Sequence, residues 1–69
     1  MRKKYFIAYY GQHNLWWDDD GKRFVPQGMY LYRSTWNNLD DVMKKVREVR
    51  TKYATGWADD ICIDSELTV

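Results

Sequence analysis

Side chains that could ligate a transition metal or act as a nucleophile–base pair are scarce in this 69-residue chain. His13 and Cys62 are its only histidine and cysteine. A zinc site usually draws three or four such ligands, and a cysteine nucleophile also needs an orienting group and an oxyanion hole. We therefore predict no metal site, no cofactor and no enzymatic activity. The lone cysteine excludes an intramolecular disulfide and fits a reducing cytoplasm.

The acidic residues considered as possible ligands or catalytic groups fall into two groups, and a purely structural role accounts for each. Residues 18–20 are Asp, followed by Gly21, but a calcium loop in this register would need an oxygen ligand at Trp16 and a glutamate at Gln27. We interpret this group as a hairpin turn in which Gly21 takes a positive φ. The second group could offer paired carboxylates, but we interpret it as solvated positions beside an exposed strand. This group consists of Asp59, Asp60, Asp64 and Glu66.

The elements that would position these side chains follow from the hydrophobic pattern. Residues 5–10 are apolar on both alternating faces, which predicts a strand inside a sheet. Residues 15–18 and 22–25 flank the turn and predict a hairpin, which Pro26 ends or places on an edge. After a turn at Gln27-Gly28, residues 29–33 predict a short extended segment. Residues 60–64 alternate and predict a last strand, with Leu67 and Val69 as its extension.

One helix is predicted over residues 37–54. Apolar residues recur there at spacings of three and four, and Asn37 or Asn38 is a suitable N-cap. The repeating residues are Trp36, Leu39, Val42, Met43, Val46, Val49 and Tyr53. The chain is thus predicted to be one α+β domain, residues 1–69, with an antiparallel sheet of three to five strands and one amphipathic helix on one face. Its element order is β-β-β-(β)-α-β.

Aromatic residues make up 17% of the chain, more than a small core needs. Tyrosine, tryptophan and arginine are typical of binding surfaces. We expect Phe6 and Ala8 to meet the helix, because a small residue lets a helix approach closely, and Tyr5, Ile7 and Tyr9 to line the open face. The candidate partner-binding residues are Tyr5, Tyr9, Trp16, Trp17, Arg23, Tyr30, Tyr32 and Arg33. Replacing Tyr9 and Trp17 by alanine should then leave a folded protein that has lost its partner.

Charge and hydropathy narrow the classes of partner. The net charge is +1, and no apolar run approaches the ~20 residues of a membrane span, so we expect a cytoplasmic protein with no membrane partner. The basic stretch of residues 44–52 could contact phosphates, but such charge runs are usually the solvated back of a helix, so we do not expect nucleic-acid binding. A small nucleic-acid-binding or regulatory protein is the alternative. A homodimer that buries the aromatic face is a further alternative.

The layout of four segments resembles the small accessory proteins of bacteriophages and mobile elements, of which anti-CRISPR proteins are the best-known group. The likeness is carried by residues 5–10, 15–25, 37–53 and 61–63. The resemblance implies a non-enzymatic, phage-encoded inhibitor that occludes a site on a host protein complex, such as a CRISPR-Cas effector, in the host cytoplasm. It transfers no functional residue to this chain.

Overall fold

The computed structural model describes residues 2–53 and 56–68. Within these ranges the chain forms a four-stranded antiparallel sheet in the order β3-β2-β1-β4, with a helix packed on one face. The predicted α+β class is confirmed. The elements are β1 (Arg2–Tyr10), β2 (Asn14–Asp18), β3 (Arg23–Pro26), α1 (Leu39–Lys52), a 3-10 turn (Ala58–Asp60) and β4 (Ile61–Thr68). The predicted helix position Ala54 and strand position Val69 lie outside the described residues.

The central strand is β1, as its two apolar faces predict. It pairs along nearly its whole length with β4, for example Ile7 with Ile63, and its C-terminal end pairs with β2, where Ala8 lies opposite Trp16. Nearer its start, Tyr5 exchanges two backbone hydrogen bonds of 2.8 Å with Trp36. The backbone of β1 is therefore paired along both edges, and both of its faces carry buried side chains, Ile7 and Tyr9 on one and Phe6 and Ala8 on the other.

The hairpin turn between β2 and β3 is closed by a side chain. Asp18 Oδ1 accepts hydrogen bonds of 3.1 Å from the backbone N–H groups of Asp20 and Gly21, as aspartate does in turns. The turn interpretation is confirmed, but the prediction that Gly21 takes the positive φ is wrong, because Lys22 takes it (φ 53°). Gly21 is suited to its position for another reason: a Cβ there would lie 2.7 Å from Asp18 Oδ2.

Residues 29–33 do not form the predicted extended segment. Pro26 ends β3, Gly28 adopts φ 105°, and the following amides bond locally, Tyr32 N–H to Met29 O and Arg33 N–H to Tyr30 O. These are consecutive tight turns. Because these backbone amides bond to carbonyl groups within the segment, they do not pair with a neighbouring strand, although the tyrosines of the segment favour a strand. We call residues 27–34 the roof loop, because they cover the sheet face opposite the helix.

The predicted helix is present, but it spans Leu39–Lys52 and begins two residues later than the predicted residue 37. The N-cap Asn38 accepts hydrogen bonds from the N–H groups of Asp40 and Asp41, which satisfies donors that the first turn leaves free. The side of the helix that packs on the sheet is narrower than the predicted apolar stripe, because Leu39 and Met43 remain exposed. Its buried residues are Val42, Val46 and Val49.

The sheet carries a separate core on each face, and the faces are the reverse of those predicted. Ile7 and Tyr9 lie under the helix, whereas Phe6 and Ala8 lie under the roof loop. The helix presents small valines to the sheet, and the rings of Tyr9 and Trp17 fill the remaining space at that interface. The helix-side cluster is Ile7, Tyr9, Trp17, Val42, Val46, Val49 and Ile61. The roof-side cluster is Phe6, Ala8, Trp16 and Val25.

Gly11 gives a first test of this packing. A Cβ at Gly11 would lie 2.0 Å from the hydroxyl oxygen of the buried Tyr9. We expect Gly11→Ala to push this ring out of place and to lower the free energy of unfolding by about 1–3 kcal/mol, as overpacking does. Urea denaturation followed by circular dichroism measures the loss. Gly56→Ala is the matched control, since its added Cβ meets no atom within 4 Å among the described residues other than its chain neighbours. Equal stability of the two variants would refute the proposed contact.

Candidate protein-interaction site

The structure separates the eight candidate binding residues into two sets. Tyr9 and Trp17 are buried beneath the helix, 5% and 2% exposed, and Tyr5 packs against the same cluster half-buried. Trp16 is buried on the opposite face. The open face predicted for Tyr5, Ile7 and Tyr9 is therefore wrong, because all three pack on the helix side. Arg23, Tyr30, Tyr32 and Arg33 meet on the roof-loop side.

Arg33 anchors the roof loop to the sheet. Its side chain is only 7% exposed, and its guanidinium carbon lies 4.3 Å from the ring centre of Phe6 and 4.6 Å from that of Trp16. Both terminal nitrogens donate to the carboxylate of Glu66 on β4. A guanidinium suits this place because it is flat, stacks on rings and pairs with a carboxylate at two points. Among the described residues, Arg33 Nε finds no acceptor.

Above this anchor, the roof loop exposes a run of large apolar side chains. Leu31 is 97% exposed and Tyr30 is 66% exposed. Met29 and Tyr32 are 41% and 46% exposed. The ring of Tyr30 rests on Trp16, 4.8 Å between centres. We call residues 29–32 the tip patch. Its backbone is fixed by hydrogen bonds within its own turns and by the contacts of Arg33 with the sheet.

Met29 and Leu31 were not predicted from sequence as surface residues, because the predicted strand would have placed them in the sheet. Pro26 and Gly28 were the available signal, since both interrupt strands and mark turns. Trp57 was missed as well. It stacks on Tyr9 and Tyr53, with centres 4.6 and 5.6 Å apart, so this ring closes the end of the helix-side core.

A second, smaller feature is a cleft between the hairpin turn and the helix. Asp19 accepts hydrogen bonds from the Trp17 indole and from Lys22, and it lies 3.5 Å from Lys45 Nζ. Burial raises the pKa of Asp19, but these partners outweigh burial and hold the pKa below its ordinary value. The hydrogen bond to Glu48 raises the pKa of Lys45. Asp19, Lys22, Lys45 and Glu48 form an ion-pair network that joins the helix and the hairpin.

No group of three or more His, Cys, Asp or Glu side chains that could hold a metal ion occurs in the part of the chain that the structure describes. His13 and Cys62 stand on separate elements, His13 in the loop after β1 and Cys62 in β4. Burial raises the pKa of the Cys62 thiol, and the charge of Asp64 adds to this effect. A thiol held in its neutral form is a poor nucleophile.

Tyr10, at the edge of the roof-side face, donates a 2.6 Å hydrogen bond to Asp64 Oδ2. Burial and this neighbouring carboxylate raise the pKa of Tyr10 to about 12. We expect one tyrosine to titrate near that value, and Asp64→Asn to lower its pKa part of the way to the ordinary 10, because burial remains. Carbon-13 chemical shifts of the tyrosine rings measure this, with Tyr10→Phe to assign the signal. An unchanged pKa in Asp64→Asn would contradict the expectation.

Within residues 2–53 and 56–68, no helix is long and apolar enough to cross a membrane. The geometry leaves the tip patch as the candidate site. No protein-family model, curated protein or solved structure matches the chain.

Proposed function

We propose that this protein is a non-enzymatic binding protein that recognises a partner protein through the tip patch. The observation that carries the proposal is the nearly complete exposure of Leu31 between two tyrosines on an anchored loop. An exposed run of large apolar side chains on a small protein is unusual unless it meets a partner. Tyrosine, methionine and arginine are also the residue types that interfaces favour.

Rigidity supports the same proposal. The tip patch is held by hydrogen bonds within its own turns, and Arg33 fixes its C-terminal end against Phe6 and Trp16. A loop that is ordered before binding loses less conformational entropy on association. An exposed, preorganised loop is suited to an inhibitor that blocks an active or assembly surface.

The resemblance to anti-CRISPR proteins gives this proposal its narrower form, in which the partner is a host complex and the gene is phage-borne. We propose this role as the first to examine. It requires the tip patch to compete with a natural ligand of that complex.

The decisive variant is Leu31→Asp. A charge at the tip would lose its water when the patch is buried, so we expect retention of the partner to fall at least about tenfold, the scale of an interface hot spot. Immobilised wild-type and variant proteins are incubated with lysate of the cells in which the protein acts, and bound proteins are quantified by mass spectrometry.

Leu67→Asp is the matched control, because Leu67 is 62% exposed and lies on β4 rather than on the roof loop. Circular dichroism confirms that both variants are folded. Proteins captured equally by wild type, Leu31→Asp and Leu67→Asp would show that the tip patch is not the binding surface.

A further inference from the structure

We propose that the partner segment seated on the tip patch carries an acidic side chain beside its apolar residues, and that Arg23 of β3 receives this carboxylate. The inference rests on the proposed function and adds the chemistry of the partner. Three observations support it: the position of Arg23, the two terminal nitrogens of its guanidinium that are free to donate hydrogen bonds, and the charges around the tip patch.

Arg23 borders the tip patch directly. Its guanidinium carbon lies 5.5 Å from the ring centre of Tyr32, and its side chain is 58% exposed. Tyr32 follows Leu31 in the chain, so a partner that covers the leucine also reaches this cation. The stacking on Tyr32 holds the guanidinium against the patch, where a cation over a ring is stabilised.

The guanidinium is only partly used within the protein. Its Nε lies 3.4 Å from Asp18 Oδ2, and in the described ranges neither terminal nitrogen of Arg23 forms a hydrogen bond. Asp18 is itself buried and occupied by the turn amides, so a partner meets the arginine and not the aspartate. The two free nitrogens present the fork geometry that binds a carboxylate at two points.

Among the described residues, the only acidic side chain paired with Arg23 is the buried Asp18. The chain has no Asp or Glu from Lys22 through Leu39. Glu66, the acid nearest the roof loop, stands on β4, at the opposite edge of the sheet from Arg23, and is engaged by Arg33. The accessible charge beside the tip patch is therefore positive, and an acidic group is the complement that would be attracted and positioned there.

The test uses a display library of random 12-residue peptides as the probe, selected on the immobilised full-length protein. Selected peptides are synthesised with a fluorophore, and their dissociation constants are measured by anisotropy. We expect an enriched pattern of apolar residues next to Asp or Glu. We expect Leu31→Asp and Arg23→Glu each to weaken these peptides by about tenfold or more, and Arg23→Lys to weaken them less, because a lysine keeps the charge but not the fork.

Lys22→Glu is the matched control. Lys22 is as exposed as Arg23 but turns toward Asp19, so the same charge reversal there should change affinity little. An equal loss in both variants would show general charge attraction and would overturn the assignment to Arg23. Peptides that need Leu31 but carry no acid would overturn this inference and leave the proposed function intact.

Two other outcomes also count against the inference. If no enriched peptide is sensitive to Leu31→Asp, both the inference and the proposed function fail. A 20-residue thymidine oligonucleotide is tested in parallel, because tyrosines and arginines also bind single strands by stacking. Binding of this oligonucleotide at physiological salt that Arg23→Glu abolishes would assign Arg23 to phosphate instead of carboxylate.

Discussion

Replacing Tyr9 and Trp17 together by alanine is expected to unfold the protein. Both rings are buried under the helix, with Trp17 against Phe24 and Tyr53 and Tyr9 against Phe24 and Trp57. Each substitution of a buried ring costs about 3–5 kcal/mol, and the whole stability of a small domain is about 5–15 kcal/mol. The prediction from sequence that this variant stays folded is reversed by the burial of both rings.

The two losses are not expected to add fully, because Tyr9 and Trp17 share the neighbour Phe24. Far-ultraviolet circular dichroism and urea titration of each single variant and of the double variant measure the effect. Tyr30→Ala combined with Tyr32→Ala is the matched control, since it also removes two rings but from the exposed loop, and it should keep a cooperative transition. A double Tyr9/Trp17 variant with a wild-type midpoint would mean that the helix does not rest on these rings.

Replacing Arg33 by alanine is expected to free the roof loop from the sheet and to lower the free energy of unfolding by about 2–4 kcal/mol. The loss combines the void left over Phe6 and Trp16, which resembles that of other large-to-alanine changes, with the lost attraction between the cation and the rings. Glu66 adds less to the cost, because at 41% exposure it can be hydrated once its partner is gone. The tip patch would then lose the order that binding requires.

Hydrogen exchange separates this effect from global unfolding. The amides of Tyr32 and Arg33, which bond within the loop, should exchange much faster in Arg33→Ala, whereas the paired amides of β1 should change only with overall stability. Arg33→Met is the control that keeps most of the volume without the charge, and we expect an intermediate result. If loop amides in Arg33→Ala exchange as in wild type, the loop is held by its turns alone.

The sequence by itself determined the elements whose pattern is local. Apolar residues on both faces marked residues 5–10 as an interior strand, Asp18 and Gly21 marked the hairpin, and the spacing of three and four with Asn38 as cap marked the helix. These signals depend only on residues close together in the chain, within one turn or one strand. They can therefore be recognised in a single sequence.

Only the tertiary structure decided which face of β1 meets the helix, because Ile7 and Phe6 are equally apolar and a shift of one residue exchanges the faces. It also decided the conformation of residues 29–33. These residues form turns instead of a strand, and the turns place Arg33 over the rings of Phe6 and Trp16. That contact joins residues distant in sequence, and no local pattern encodes it. The exposure of Leu31, and with it the candidate site, follows from this contact between the roof loop and the sheet.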